Sequence, residues 1–252
     1  MEKIAPLNSA ESWDNSGFQI FLGKHEFHKI LICLDITHAV IREAVNYGAD
    51  LIISHHPMYF NPVKNIISGN PTSDYTIELV KNSISVYSSH TPFDKAETGT
   101  NFYLAKLLGL ANILFFDEFY ENAIGLFGEL ENAMSVKDFI AEIYKCLNLK
   151  KNSIRLIGDS ARKVRKIGLC TGAGLSEFET ADKLFCDAFI TGDLKYHDAL
   201  SLSEKGKTLI EISHFDTEKF FVDNMARQLE EAFLNKVSII KTETMKNPFC
   251  VV

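Results

Sequence analysis

The chain has 252 residues, 46% of them hydrophobic and 23% charged, with a mean hydropathy near zero, a makeup that excludes disordered, collagen-like and coiled-coil proteins. That length serves one large domain or two of about 120 residues, each able to bury its own core. The 26 basic and 33 acidic residues leave a net charge of −7, which argues against coating nucleic acid through bulk positive charge and leaves room only for a local phosphate site.

Taken in chain order, the N-terminal stretch MEKIAPLNSAESWDNSG has no apolar signal segment. The longest apolar runs, ILICLDI and ADLIIS, fall far short of the ~20 residues of a membrane span. Strands are expected over 29–34, 50–53, 85–88, 123–129, 154–157, 166–170, 187–191, 208–212 and 237–241. Amphipathic stretches lie between them, so the fold class is α/β with largely parallel sheets. Ser135 with Asp138, and Ser176 with Glu179, have capping-box spacing, and Gly48, Gly109 and Gly206 sit where helices should stop. The segment 217–234 puts Phe221, Met225, Leu229, Ala232 and Phe233 on one stripe, which predicts a core-facing helix.

A weak internal repeat organises these elements. HKILICLD, GADLIISHHP and SISVYSSHTPFD in the first half correspond to RKIGLCTG, CDAFITGDLKYH and KTLIEISHFDTE in the second, each followed by a helical stretch. The last strand of each half ends in Ser-His with an acid four residues on, His90 to Asp94 and His214 to Glu218. The expectation is two similar α/β lobes, 1–120 and 121–252, divided near the acidic aromatic stretch at 115–123, with the C-terminal segment able to pack back on the first lobe. Each would present its strand C-terminal ends to a shared metal cleft, where open α/β sheets place their sites.

Of the eight histidines, His55, His56, His90 and His214 directly follow apolar strands. One such residue reads as a hydrogen-bonded surface histidine; four at equivalent edges read as a site. Adjacent histidines on an extended strand point to opposite sides and cannot readily chelate one ion, but His55 and His56 can each serve one of two neighbouring ions if the backbone turns at Pro57. Glu218 is expected in the first turn of a helix, where the dipole also favours a carboxylate. Imidazoles with carboxylates suit Zn, Mn, Fe or Ni and are too nitrogen-rich for a dedicated Ca site. Thr171 to Leu175, T-G-A-G-L, is only part of a phosphate-binding turn and reads first as a tight strand-to-helix turn. The basic run 162–166, with Lys150 and Lys151, reads as solvated surface. The five cysteines form no C-x-x-C pair and lack a neighbouring histidine, so reduced, mostly buried thiols and a cytoplasmic location are expected.

W-D-N-S-G at Trp13 to Gly17, C-L-D-I-T from Cys33, S-H-H-P from Ser54, H-T-P-F-D with G-T-N, T-G-D-L-K-Y-H from Thr191 and S-H-F-D-T-E together resemble the Nif-three-like proteins, known as GTP cyclohydrolase 1 type 2 homologs. The resemblance covers nearly the whole chain in order. It implies a two-domain α/β subunit, a homohexameric ring built as a trimer of dimers, and two divalent metal ions per subunit. His56 and Asp94 would hold one ion, His55 and His214 the other, and Glu218 would bridge them. Two ions sharing a water can activate it for hydrolysis, which in the named chemistry opens the imidazole ring of GTP and releases formate. His90 and His197 would then handle protons, while Lys195 and the backbone at 172–174 would meet the triphosphate. The competing reading is a non-enzymatic metal-holding ring, a metal carrier or a scaffold for a protein or DNA partner. A purely structural metal ranks last, because such sites are usually closed, mononuclear and rich in cysteine.

Overall fold

The computed structural model describes residues 1–234 and 236–250. The chain forms two units, Met1–Phe93 with Phe221–Lys246, and Asp94–Phe220 with the segment from Asn247. Among the described residues no helix is long and apolar enough to cross a membrane.

The first unit holds β1 (Gly17–Ile20), β2 (Lys29–Cys33), α1 (His38–Tyr47), β3 (Leu51–Ser54), α2 (Pro71–Lys81), β4 (Ser85–Ser88) and the start of the short α3 (Thr91–Asp94). The second holds α4 (Thr100–Leu107), β5 (Ala111–Phe115), β6 (Leu126–Ser135), α5 (Val136–Cys146), β7 (Arg155–Ile157), β8 (Lys163–Leu169), α6 (Phe178–Lys183), β9 (Ala188–Thr191), α7 (Tyr196–Glu204), β10 (Leu209–Glu211) and α8 (His214–Glu218). The chain then returns to the first unit through α9 (Phe221–Phe233) and β11 (Ser238–Lys241).

All nine expected strands form, and β1 and β5 join them as edge strands. The sheet of the first unit runs β1-β4-β3-β2-β11, and only the β1–β4 pair is antiparallel. The second runs β5-β6-β8-β9-β10-β7 and is parallel only across β8-β9-β10. A short connection such as the one from β5 to β6 cannot hold a parallel crossover, so it returns antiparallel. The core strands match between repeats: Ile30 lies opposite Leu51 in the first, and Ile167 opposite Ala188 in the second. In each repeat an aspartate just ahead of one strand clamps the backbone of its parallel neighbour. Asp50 accepts hydrogen bonds from the backbone of His28 and Lys29, and Asp187 accepts them from Arg165 and Lys166, at 2.9 to 3.2 Å.

Burial follows the strand period. Ala188 and Ile190 join one core cluster with Val136, Phe139, Ile143 and Ile167, whereas Phe189 joins Phe116, Phe127 and Leu209 in another. The first unit has its own core around Leu31, Ile41, Ile52, Leu79 and Val86. In place of the single division expected at 120/121, the chain passes between the units three times, after Phe93, after Phe220 and after Lys246. The reason is packing: Leu104, Ala105 and Leu108 lie in the core of the second sheet, and β11 adds to β2 in the first.

Helix ends follow their local chemistry. Thr37 caps α1, Ser135 caps α5, and Gly48 closes α1 in the left-handed conformation. Ser176 does not cap α6; it lies inside a 3-10 turn, Gly174–Glu177, that runs directly into that helix. The continuous helix expected over 217–234 is two helices separated by Lys219 and Phe220. These neighbours answer to different cores. Phe220 packs with the second unit's cluster and Phe221 is buried in the first unit against Phe93. Phe221, Met225 and Leu229 are buried as expected, but Ala232 and Phe233 are exposed past the end of that core.

Replacing Asp187 with Ala leaves the β8 amides of Arg165 and Lys166 without their acceptor, and such losses cost about 1–3 kcal/mol. The denaturant midpoint should fall correspondingly, with Asp50→Ala acting alike in the first unit. Chemical denaturation of both variants measures it.

Candidate metal centre

The first unit collects three imidazoles. His55 follows β3 and is wholly buried, with its ring 4.9 Å from that of Phe221. His55, His56 and His90 each offer a ring nitrogen within 4.8 Å of the others, a group able to hold a metal ion. The opposite-sides expectation for His55 and His56 does not hold, and their ring centroids are 5.0 Å apart. The strand ends at Ser54, so its alternation no longer applies. Instead the backbone turns, with the His56 carbonyl accepting hydrogen bonds from the Ser54 and Ser88 hydroxyls at 2.8 and 3.2 Å.

Each imidazole is held through Nδ1 by an oxygen that has no proton of its own to give. His55 Nδ1 lies 2.9 Å from the Ser89 carbonyl, His56 Nδ1 2.8 Å from Asp35, and His90 Nδ1 2.9 Å from Asp14. The ring nitrogen is therefore the donor, and a neutral ring so held carries its lone pair on Nε2. Asp14 is itself built in. Its side chain is 0% exposed and accepts from the Ser16 hydroxyl and from the Thr91 amide and hydroxyl. Burial alone would raise its pKa, but the hydrogen bonds from His90, Thr91 and Ser16 outweigh it and hold the carboxyl well below the usual range.

The second unit repeats the device. His214 Nδ1 donates to Asp193 at 2.7 Å, and Nε2 lies 2.9 Å from the Glu218 carboxylate. Glu218 is buried at the last residue of α8, not in a first turn. The helix starts at His214 under a Ser213 cap, so Asp216 takes the dipole-favoured place and accepts from the Ser213 hydroxyl. Gly172 is required beside this pair: its φ is +65°, and a Cβ there would collide with the Glu218 carboxylate and come within 3.1 Å of His214 Nε2. Asp94, at the end of α3, is also buried, and its carbonyl accepts from Asn101 at 3.0 Å. His197 is exposed in the first turn of α7 against Tyr196 and belongs to no such group.

These rings and carboxylates, with oxygen partners behind the imidazoles, fit a divalent transition-metal ion. Thiolates do not compete. Burial pushes the Cys33 and Cys170 thiols up, and the carboxylates near each add to it. Burial likewise takes Cys186 to about 12. Cys33 and Cys170 are buried and Cys186 partly buried, whereas Cys146 and Cys250 are exposed at the end of α5 and near the C-terminus. The backbone at 172–174 is not a phosphate cradle either. The Gly172 and Gly174 amides are spent on Thr217 and Thr191, each at 2.9 Å, which leaves the tight-turn reading. In the basic run, Arg165 pairs with Glu129 and Lys166 donates to the Leu184 carbonyl.

The sequence reading missed Asp14, Asp35 and Asp193. All three sit in the quoted motifs W-D-N-S-G, C-L-D-I-T and T-G-D-L-K-Y-H, and what could have found them is that each motif carries one acid beside a strand. Asp193→Ala should lower affinity for a divalent cation about 10–100-fold, read by competition with a chelator. Asp14 contributes stability above the ordinary carboxylate pKa of 3.8, lost as pH falls through its depressed folded value. Asp14→Asn should therefore flatten the acid limb of the stability profile, measured by denaturation from pH 7 to 3.

Known proteins resemble this chain throughout. The family model for Duf34/NIF3 (NGG1p interacting factor 3) matches residues 1–248. A Clostridium perfringens protein named GTP cyclohydrolase 1 type 2 homolog is 34% identical over 252 residues, covering 99% of this chain and 95% of that protein. A Helicobacter pylori protein named GTP cyclohydrolase 1 type 2 is 32% identical, covering 100% and 96%. The crystal structure of a Staphylococcus aureus hypothetical protein superposes with a TM-score of 0.90 at 27% identity, covering 100% of this chain and 96% of that one.

Proposed function

The chain belongs to the Duf34/NIF3 family, and we propose that it is a dinuclear metal-dependent hydrolase acting on a purine nucleotide or a related cyclic amidine or phosphoester. His56 and Asp94 would hold one ion and His55 and His214 the other, with Glu218 shared between them; Zn, Mn, Fe or Ni would suit these ligands. The observation that carries the reading is the common treatment of the four strand-end imidazoles, each fixed at Nδ1 by an oxygen. That arrangement is costly to build and serves to aim Nε2.

Chain connectivity adds support. The ligand motifs flank two of the three chain passages: His90 and Asp94 bracket the one after Phe93, and Glu218 precedes Phe221 by three residues. Within the first unit the Phe93 and Phe221 rings are 5.2 Å apart and His55 rests on Phe221.

Two divalent ions, when bound, supply an activated water and polarise the bond under attack. The chain does the rest. Asp14 orients His90 so that Nε2 can take and return a proton, and His197 is a second group for proton handling. GTP is the first substrate to test because the Helicobacter relative bears its name; the change would be hydrolytic opening of the guanine imidazole ring with release of formate. Lys195, exposed ahead of α7, can meet the phosphates. Assembly into a homohexameric ring belongs to the same proposal, and sedimentation reads it directly.

His55→Ala and Glu218→Ala should each cut metal-dependent turnover about a hundredfold or more while circular dichroism stays unchanged. Undiminished turnover would sink the proposal. Tightly bound metal in protein purified without added ions, with no turnover across a nucleotide and phosphoester panel, would instead support the metal-holding scaffold.

A further inference from the structure

We propose that Trp13 and Phe60 form an aromatic subsite that takes the planar base of a nucleotide beside His90. The two rings are 55% and 56% exposed, with centroids 6.1 Å apart and planes tilted by 45°. Each also faces His90, Trp13 edge-on at 5.9 Å and Phe60 at 6.3 Å. The three rings make a V whose floor is an imidazole of the histidine group. Large aromatic side chains gain most from burial, and two left in solvent at one spot mark a binding surface.

The backbone beneath them is pinned. Asn15 Nδ2 donates to the Tyr59 carbonyl at 2.8 Å, the Tyr59 amide donates to Gln19 Oε1 at 3.1 Å, and Gln19 Nε2 donates to the Asn15 carbonyl at 2.6 Å. Asp14, next to Trp13, is the buried acid that holds His90. W-D-N-S-G thus reads as one device: Asp14 and Ser16 set His90, Asn15 ties down the residue before Phe60, and Trp13 stands out to stack. Its tilt lets a base lie on one ring and meet the other at its edge. Phe60 also walls a cavity of about 350 Å³ with Asn61, Lys64, Asn65 and Asn70. That size and polarity suit the sugar and phosphate of the same ligand. Stacking on an aromatic face accepts any base, so the subsite selects nucleobase-bearing ligands without choosing among them.

The placement beside reacting atoms rests on the hydrolase reading, but the binding does not. Trp13 is the one tryptophan of the chain, so intrinsic fluorescence reports this site alone. The full chain, as purified and again after chelation, is titrated with guanosine, GTP and inorganic tripolyphosphate. Guanosine and GTP should quench the emission with or without metal, and tripolyphosphate should not. Phe60→Ala should weaken both about tenfold and Phe60→Tyr should restore them; the exposed side chain spares the fold, and calorimetry gives the same ranking. An unresponsive emission, an equal response to tripolyphosphate, or a signal that tracks protein concentration and ignores nucleoside overturns the subsite, the last by assigning the rings to a second copy. Quenching without turnover in any condition would overturn the hydrolase reading and leave the subsite standing.

Discussion

An imidazole holds a cation only through a ring nitrogen that carries no proton, and which nitrogen that is depends on the hydrogen bond the other one makes. Here His55, His56, His90 and His214 each give Nδ1 to an oxygen. The rest of the site depends on that bond. It fixes the tautomer, orients the ring and raises the basicity of Nε2, so the protein spends a backbone carbonyl and three carboxylates on aiming four lone pairs.

The sheets exist, for this purpose, to bring oxygen and imidazole together from neighbouring strand ends. His56 follows β3 while Asp35 follows the adjacent β2, and His214 follows β10 while Asp193 follows the adjacent β9. Parallel pairing is what allows this, because only parallel neighbours end on the same edge. The clamps at Asp50 and Asp187 sit at the other ends of those strands. Register set there is carried along the strands to the histidines.

Much of this was legible. Strands in the repeat are short apolar runs bounded by turn residues, and all nine expected ones form, because their burial is decided by composition. The strands that escaped are β1 and β5, whose burial alternates irregularly at sheet edges; Asn112, with φ at 50°, breaks the pairing of β5. The break between Glu218 and Phe221 also escaped, because helical periodicity continues through it. Only knowledge that Phe220 and Phe221 belong to different cores marks the stop. At Gly172 and Gly174 the favoured tight-turn reading holds, because Thr217 and Thr191 take their amides.

The sequence by itself determined the class, the repeat and the chemistry available, since strand patterning and the supply of His, Asp and Glu are written locally. It did not contain which oxygen stands behind which imidazole, or which residues answer to which core. Asp14 and His90 are 76 positions apart, and Glu43 receives Thr244 across 201. Hydrogen bonds of that separation are decided when the sheets close. Only the tertiary structure could turn eight histidines into four aimed ones.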